Sequence, residues 1–158
     1  MNQDLRTFYD LTRRTRSGVL DWFDTLPPDV FTTVDESVAH GNLCGVYAHI
    51  AECYLWWVGT VGLGKAERDI KARGVDALRE AFTEVDATLS EALGTFSALD
   101  KPFDWTSPTG KTSRLTRRWL ILHPITHEFH HKGQALAVAR ALGYPHPGNP
   151  DTDLVDPS

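Results

Sequence analysis

The stretch HPITHEFHHKGQ, residues 123–134, holds four of the seven histidines: His123, His127, His130 and His131. His127, Glu128 and His131 read as H-E-x-x-H. That spacing lets one helix present two imidazoles to zinc and a glutamate to the attacking water. Positions 123, 127 and 131 step by four and share one helical stripe, so His127 and His131 can reach a single ion. A buried imidazole needs a partner for both ring nitrogens, and several together cannot all be protonated in a low-dielectric space. A divalent metal resolves both demands, because it takes neutral imidazole nitrogens at about 2.0–2.1 Å. The third ligand has to come from another helix. His49 shares a face with Val46, Ile50 and Cys53 and is the core-facing histidine available. The expected metal ligands are therefore His49, His127 and His131. Three protein ligands with an open position are the mark of a catalytic site rather than a closed structural one.

The remaining histidines have other readings. His123 suits a packing role or an outer partner of a ligand. His130 points away from the stripe, while His40 and His146 fall in expected loops and are read as surface residues. Glu128 lies about 100° round the helix from His127; it is read either as a solvated or capping charge or as a neighbour of the metal. A zinc protease reading fails on the rest of the chain. The extended motif H-E-x-x-H-x-x-G-x-x-H would need Gly and His where Gln134 and Val138 stand, and no glutamate follows Glu128. A di-iron carboxylate bundle needs two Glu-x-x-His motifs. Glu128 to His131 supplies one, and His49-x-x-Glu52 has the reverse order.

Four amphipathic patterns position these residues. The first spans about 4–25, with Leu5, Phe8, Leu11, Thr15, Val19, Trp22 and Leu26 three or four apart. Pro27 and Pro28 stop it. The second spans about 42–61, capped by Asn42, with Leu43, Val46, Tyr47, Ile50, Cys53, Tyr54 and Trp57 on its apolar face. The third spans about 75–98 on Leu78, Phe82, Val85, Leu89 and Leu93. Residues 99–111, rich in Pro, Gly, Ser and Thr, form a loop with room for a short hairpin. The fourth spans about 113–142, capped by Thr112 or Ser113 and closed by Gly143. Only VFTTV, 30–34, carries a strand-like pattern. These elements predict an all-α four-helix bundle filling one domain, residues 1–158. The long stretch between the second and third helices leaves room for a crossover.

The bulk numbers fit. The chain has 158 residues, 41% apolar and 23% charged, with net charge −5. That charge argues against nucleic-acid binding, and the arginines of RTFYDLTRRTR and SRLTRRW read as helix surfaces. The polar N-terminus carries no secretory pattern, and no apolar run is long enough to span a membrane. Cys44 and Cys53 lie on opposite faces of one helix and are expected as free thiols, which fits a cytoplasmic location.

AHIAECYLWW on the second helix and LHPITHEFHHKGQALAVARALG on the fourth resemble the DinB/YfiT-like superfamily of metal-dependent hydrolases and thiol-dependent transferases. The resemblance spans nearly the whole chain and is most specific in H-x-x-H-H-K-G-Q. It implies a four-helix bundle of unusual helix order, often a homodimer. It also implies one divalent ion, nickel or zinc, on His49, His127 and His131. Relatives of this kind use a low-molecular-weight thiol such as bacillithiol, mycothiol or glutathione against a small-molecule electrophile. The expected function is thus a metal-dependent thiol transferase in detoxification or stress response. A metal-dependent hydrolase and a non-enzymatic metal- or ligand-binding stress protein are the alternatives.

Some features bear on that expectation. Pro124, inside the fourth helix, removes one backbone hydrogen bond and should kink the helix or delay its start. Cys53, one turn after His49, is either a small apolar filler or a fourth ligand that would close the site. Trp56, Trp57, Trp105 and Trp119 suit a pocket wall or a core. Arg117 and Arg118 suit a solvated helix end or an anionic thiol. Three imidazoles accept zinc, nickel, copper or iron.

Overall fold

The computed structural model describes residues 3–34, 36, 38–148 and 154–155. The chain runs through α1 (Gln3–Phe23), a short α2 (Pro28–Thr32), α3 (Leu43–Tyr54), α4 (Val75–Thr95), a hairpin of β1 (Phe103–Thr106) and β2 (Thr112–Leu115), and α5 (Arg117–Ala141). Past Tyr54, α3 widens into π-helical turns over Leu55–Gly62. α1 lies against α4, α4 against α3, and α3 against α5. An ion pair between Arg16 and Glu128 joins α5 to α1. The ring order is therefore α1, α4, α3, α5, and the consecutive long helices α1 and α3 are not nearest neighbours. This is the all-α bundle expected, but residues 63–74 join the neighbours α3 and α4; the connections that cross the bundle are α1 to α3, through α2, and α4 to α5, through the hairpin. No helix among the described residues is long and apolar enough to cross a membrane.

The expected core faces of α3 and α4 are largely the observed ones, while on α1 Phe8 and Leu11 are only half-buried and Tyr9, Thr12, Arg16, Leu20 and Phe23 are buried as well. Leu78, Phe82, Val85, Leu89 and Leu93 of α4 are all buried, as are Leu43, Val46, Tyr47, Ile50, Cys53 and Tyr54 of α3. The Asn42 side chain caps α3 by accepting from the Gly45 N–H at 2.7 Å. Gly143 takes φ +91°, and the Tyr144 N–H bonds back to the Ala139 carbonyl, which closes α5.

The structure differs from the sequence reading in three places. VFTTV is not a strand. Pro28 presets the first turn of α2, and the Thr32 and Thr33 hydroxyls bond back to the Pro28 and Asp29 carbonyls. Thr112 and Ser113 belong to the hairpin, so the α5 cap moves to Thr116, whose side chain accepts from the Trp119 N–H at 3.1 Å. Pro124 does not delay α5, which is helical from Arg117 onward. The tail after residue 148 lies outside the described residues except for Leu154 and Val155; the Val155 N–H bonds to the Thr15 hydroxyl at 3.0 Å.

Arg16 was expected on a surface and is instead buried, 2% exposed. Its guanidinium gathers one residue or more from every long helix. It donates to both Glu128 oxygens of α5, at 2.9 and 3.1 Å. It reaches Asp86 of α4 at 3.0 Å and lies 4.2 Å from the centre of the Phe82 ring. Tyr54 of α3 donates to Glu128 Oε2 at 2.6 Å, and Tyr9 of α1 donates to Asp86 at 2.6 Å. Charge is thus paired and hydrogen-bonded throughout, the condition under which a buried ion pair is tolerated.

Candidate metal centre

Trp119, His123, His127 and His131 recur every fourth residue along α5 and line one face of it. Opposite them, His49, Glu52, Cys53, Trp56 and Trp57 follow the helical i, i+3, i+4 rhythm on α3 and its π-helical extension. Because α3 and α5 pack directly against each other, the two stripes meet.

His127 is the hub. Its Nε2 lies 3.2 Å from His49 Nε2 and 3.1 Å from His131 Nε2. Two nitrogens bound at about 2.0–2.1 Å to one tetrahedral ion would stand about 3.3 Å apart, so the observed spacing fits a shared ligand sphere. Hydrogen bonding alone fits poorly. A neutral His127 can donate from one nitrogen only, while its Nδ1 is buried with no hydrogen-bond partner among the described residues. His131 shows how the lone pairs are aimed. Its Nδ1 lies 2.7 Å from Gln134 Oε1, so Nδ1 carries the proton and Nε2 is left as a donor of electrons toward the cluster. The Gln134 amide nitrogen in turn lies 3.1 Å from His130 Nε2.

The structure brings the expected trio together and adds a histidine that sequence reasoning placed on the surface. The His40 ring stacks on His49, with centroids 3.7 Å apart and planes 15° from parallel. One nitrogen each from His40, His49 and His131 lie within 4.8 Å of one another. His127 stands outside that group and reaches two of its members singly, through the 3.2 and 3.1 Å contacts to His49 and His131; it is also less exposed than His40. His40 arrives by a local device. Its backbone is left-handed at φ +70°, and its carbonyl sits where a Cβ on residue 45 would fall only 2.1 Å away. Glycine at 45 is what allows this approach.

Burial pushes the His49 and His127 pKa values down to about 4, with neighbouring imidazoles adding to the effect. Burial also lowers His123 and His131. The cluster is thus neutral and ready to bind a cation near pH 7. For His49 and His127 the folded value lies below the ordinary 6.5. Between 6.5 and about 4 the unfolded chain therefore binds protons that the folded chain does not. Metal-free protein should consequently lose stability as the pH falls through that window. Thermal midpoints in chelator should drop between about pH 7.5 and about pH 5, and His127→Ala should flatten the slope. An equal slope in both proteins would remove the imidazoles as its cause.

One other sequence reading is corrected, and one is narrowed to the first of its alternatives. Glu128 is neither solvated nor beside the cluster; it is 4% exposed and both oxygens are engaged by Arg16 and Tyr54. It cannot serve as the base that a zinc protease requires, although H-E-x-x-H is intact. Cys53 lines the pocket wall, and burial pushes its thiol up to about 12, which keeps it protonated. It behaves as an apolar filler. His130 is exposed, as expected.

A pocket of about 450 Å³ adjoins the cluster and is bordered by His49 and His127. Trp56 and Trp57 form one wall, His123 another, and the 67–69 segment closes the side. Glu52 secures that segment by accepting from the Ile70 N–H at 2.9 Å. Trp57 meets Trp105 of the hairpin edge-on at 5.1 Å and Trp119 at 4.9 Å, while Trp119 stacks on His123. The tryptophans thus make a pocket surround rather than a core. Arg117 lies over Phe96 and Arg118 pairs with Asp100, so neither lines this pocket.

A helical bundle that gathers histidines from two facing helices into a cluster able to hold a metal ion defines a class. The chain belongs to the DinB family, whose model matches residues 1–155. No curated protein matches the chain.

Proposed function

We propose that the protein is a metal-dependent transferase that presents a low-molecular-weight thiol to a small electrophile. His49, His127 and His131 would hold one divalent ion, zinc or nickel. The observation that carries this reading is the approach of His49 Nε2 and His131 Nε2 to His127 Nε2, at 3.2 and 3.1 Å, beside an open, aromatic-walled pocket. A divalent ion held there supplies Lewis acidity, which stabilises a thiolate near pH 7. The chain's own residues have separable tasks. Gln134 fixes the His131 tautomer. Trp56, Trp57 and His123 offer flat surfaces to an apolar electrophile. Cys53, held as a thiol, does not compete as a nucleophile.

The test is turnover by untagged, zinc- or nickel-loaded protein with an aromatic electrophile and a panel of small thiols, with and without chelator. Expected is consumption of thiol and electrophile together, abolished by the chelator. Metal-dependent turnover without thiol would favour a hydrolase instead. No turnover by metal-replete protein would favour a non-enzymatic binding protein.

A further inference from the structure

We infer that His40 is a displaceable nitrogen ligand that joins His49 and His131 in holding an ion at this cluster, an inference that rests on the metal-site reading above. Three observations point to it. Its ring nitrogen is within 4.8 Å of those of His49 and His131. Its ring also packs edge-on to His131 at 5.4 Å while stacking on His49. Its position is imposed by the backbone. The left-handed φ at His40, followed by φ +82° at Gly41, is a conformation a non-glycine residue adopts only when its surroundings demand it.

The surroundings are specific. The missing Cβ at Gly45 admits the His40 carbonyl, and the Asn42 side chain ties the loop to both Gly45 and the Thr32 carbonyl. The loop is therefore pinned on either side of His40 while the imidazole itself remains solvent-exposed. Such a ligand is held near the ion by a strap rather than by a helix, and can leave without disturbing α3 or α5. The pocket borders His49 and His127 but not His40 or His131. His40 thus lies off the pocket lining, and a thiol entering from the pocket would compete with it for a place on the ion.

The experiment is a cobalt(II) titration of metal-free protein followed by visible absorption. The proteins compared are wild type, His40→Ala, His40→Phe and His127→Ala. His40→Phe keeps a ring to stack on His49 and deletes only the nitrogen donor. Both His40 variants should bind cobalt about ten-fold or more weakly than wild type, at least the loss that follows removal of a ligand's outer partner. Their spectra should shift, and free imidazole should move the His40→Ala spectrum back toward wild type. Gly45→Ala, which drives the loop off while keeping the imidazole, should weaken cobalt binding in the same direction. Wild-type affinity and an unshifted spectrum in His40→Phe would overturn the proposal, even with cobalt binding lost in His127→Ala. If wild type itself binds no cobalt, the metal-site reading fails and this inference with it.

Discussion

Replacing His127 by alanine should empty the protein of metal. Untagged wild type, analysed for transition metals, is expected to carry about one equivalent per chain. His127→Ala should carry less than about a tenth of that, since even losing the outer partner of a ligand costs 10–100-fold in affinity. His127 is the position to choose because its Nε2 is the one measured close to both neighbours, 3.2 Å from His49 and 3.1 Å from His131. His49→Ala should follow it. His130→Ala, on the exposed side of α5, should keep its metal and serves as the control for a merely histidine-rich surface. Wild type that carries no metal, and takes none from added zinc or nickel, would leave the cluster as a polar pocket and remove the chemistry proposed for it.

Replacing Glu128 by alanine should cost the fold rather than the metal. The change strands the Arg16 guanidinium, 2% exposed, with Asp86 as its one remaining charged partner among the described residues. Breaking a buried pair from one side typically destabilises by about 3–5 kcal/mol. For a chain of this size each kcal/mol moves the melting temperature by about 2–4 °C, so a drop of roughly 10 °C is expected in thermal circular dichroism. The tyrosine hydroxyl of Tyr54 loses its acceptor at the same time. Glu128→Gln, which retains an acceptor for Tyr54, should fall less and should hold its metal once folded. A Glu128→Ala protein that melts within about 2 °C of wild type would show that the ion pair bears little of the bundle's stability. Metal loss from folded Glu128→Gln would instead place the carboxylate in the metal's service.

Much of this molecule is legible in local sequence. The α5 stripe needs only the four-residue spacing of His123, His127 and His131. His49 follows from the phase of α3, where Val46, Ile50 and Cys53 mark the inner face. Gln134 was equally accessible, three residues beyond His131 in a quoted motif, had its amide been matched to the ring nitrogen. What escaped depends on long separations or on loops. Arg16 finds Glu128 across 112 positions, and nothing near either residue announces the other. One arginine among several on an amphipathic helix looks like surface until its partners are known. His40 escaped because its place is set by a left-handed backbone and by an absent Cβ five residues later, neither of which has a periodicity to read. The π-helical turns after Tyr54 likewise depend on tertiary packing, so the tryptophans they carry could be assigned to a wall only once the wall was seen.

Glu128 directly follows His127, about 100° farther round the same helix. The two residues look into different parts of the bundle, yet share one turn of backbone. Once Arg16 and Tyr54 have gripped Glu128, α5 is no longer free to rotate about its own axis. A 10° rotation would carry a ring nitrogen about 5–6 Å from that axis through about 1 Å, half the length of a metal–nitrogen bond. The azimuth of α5 is thus set by charge on one side so that nitrogens on the other stay in register. The clasp works as an alignment pin for a site it never touches, and the cluster's shape is fixed by folding before any ion arrives.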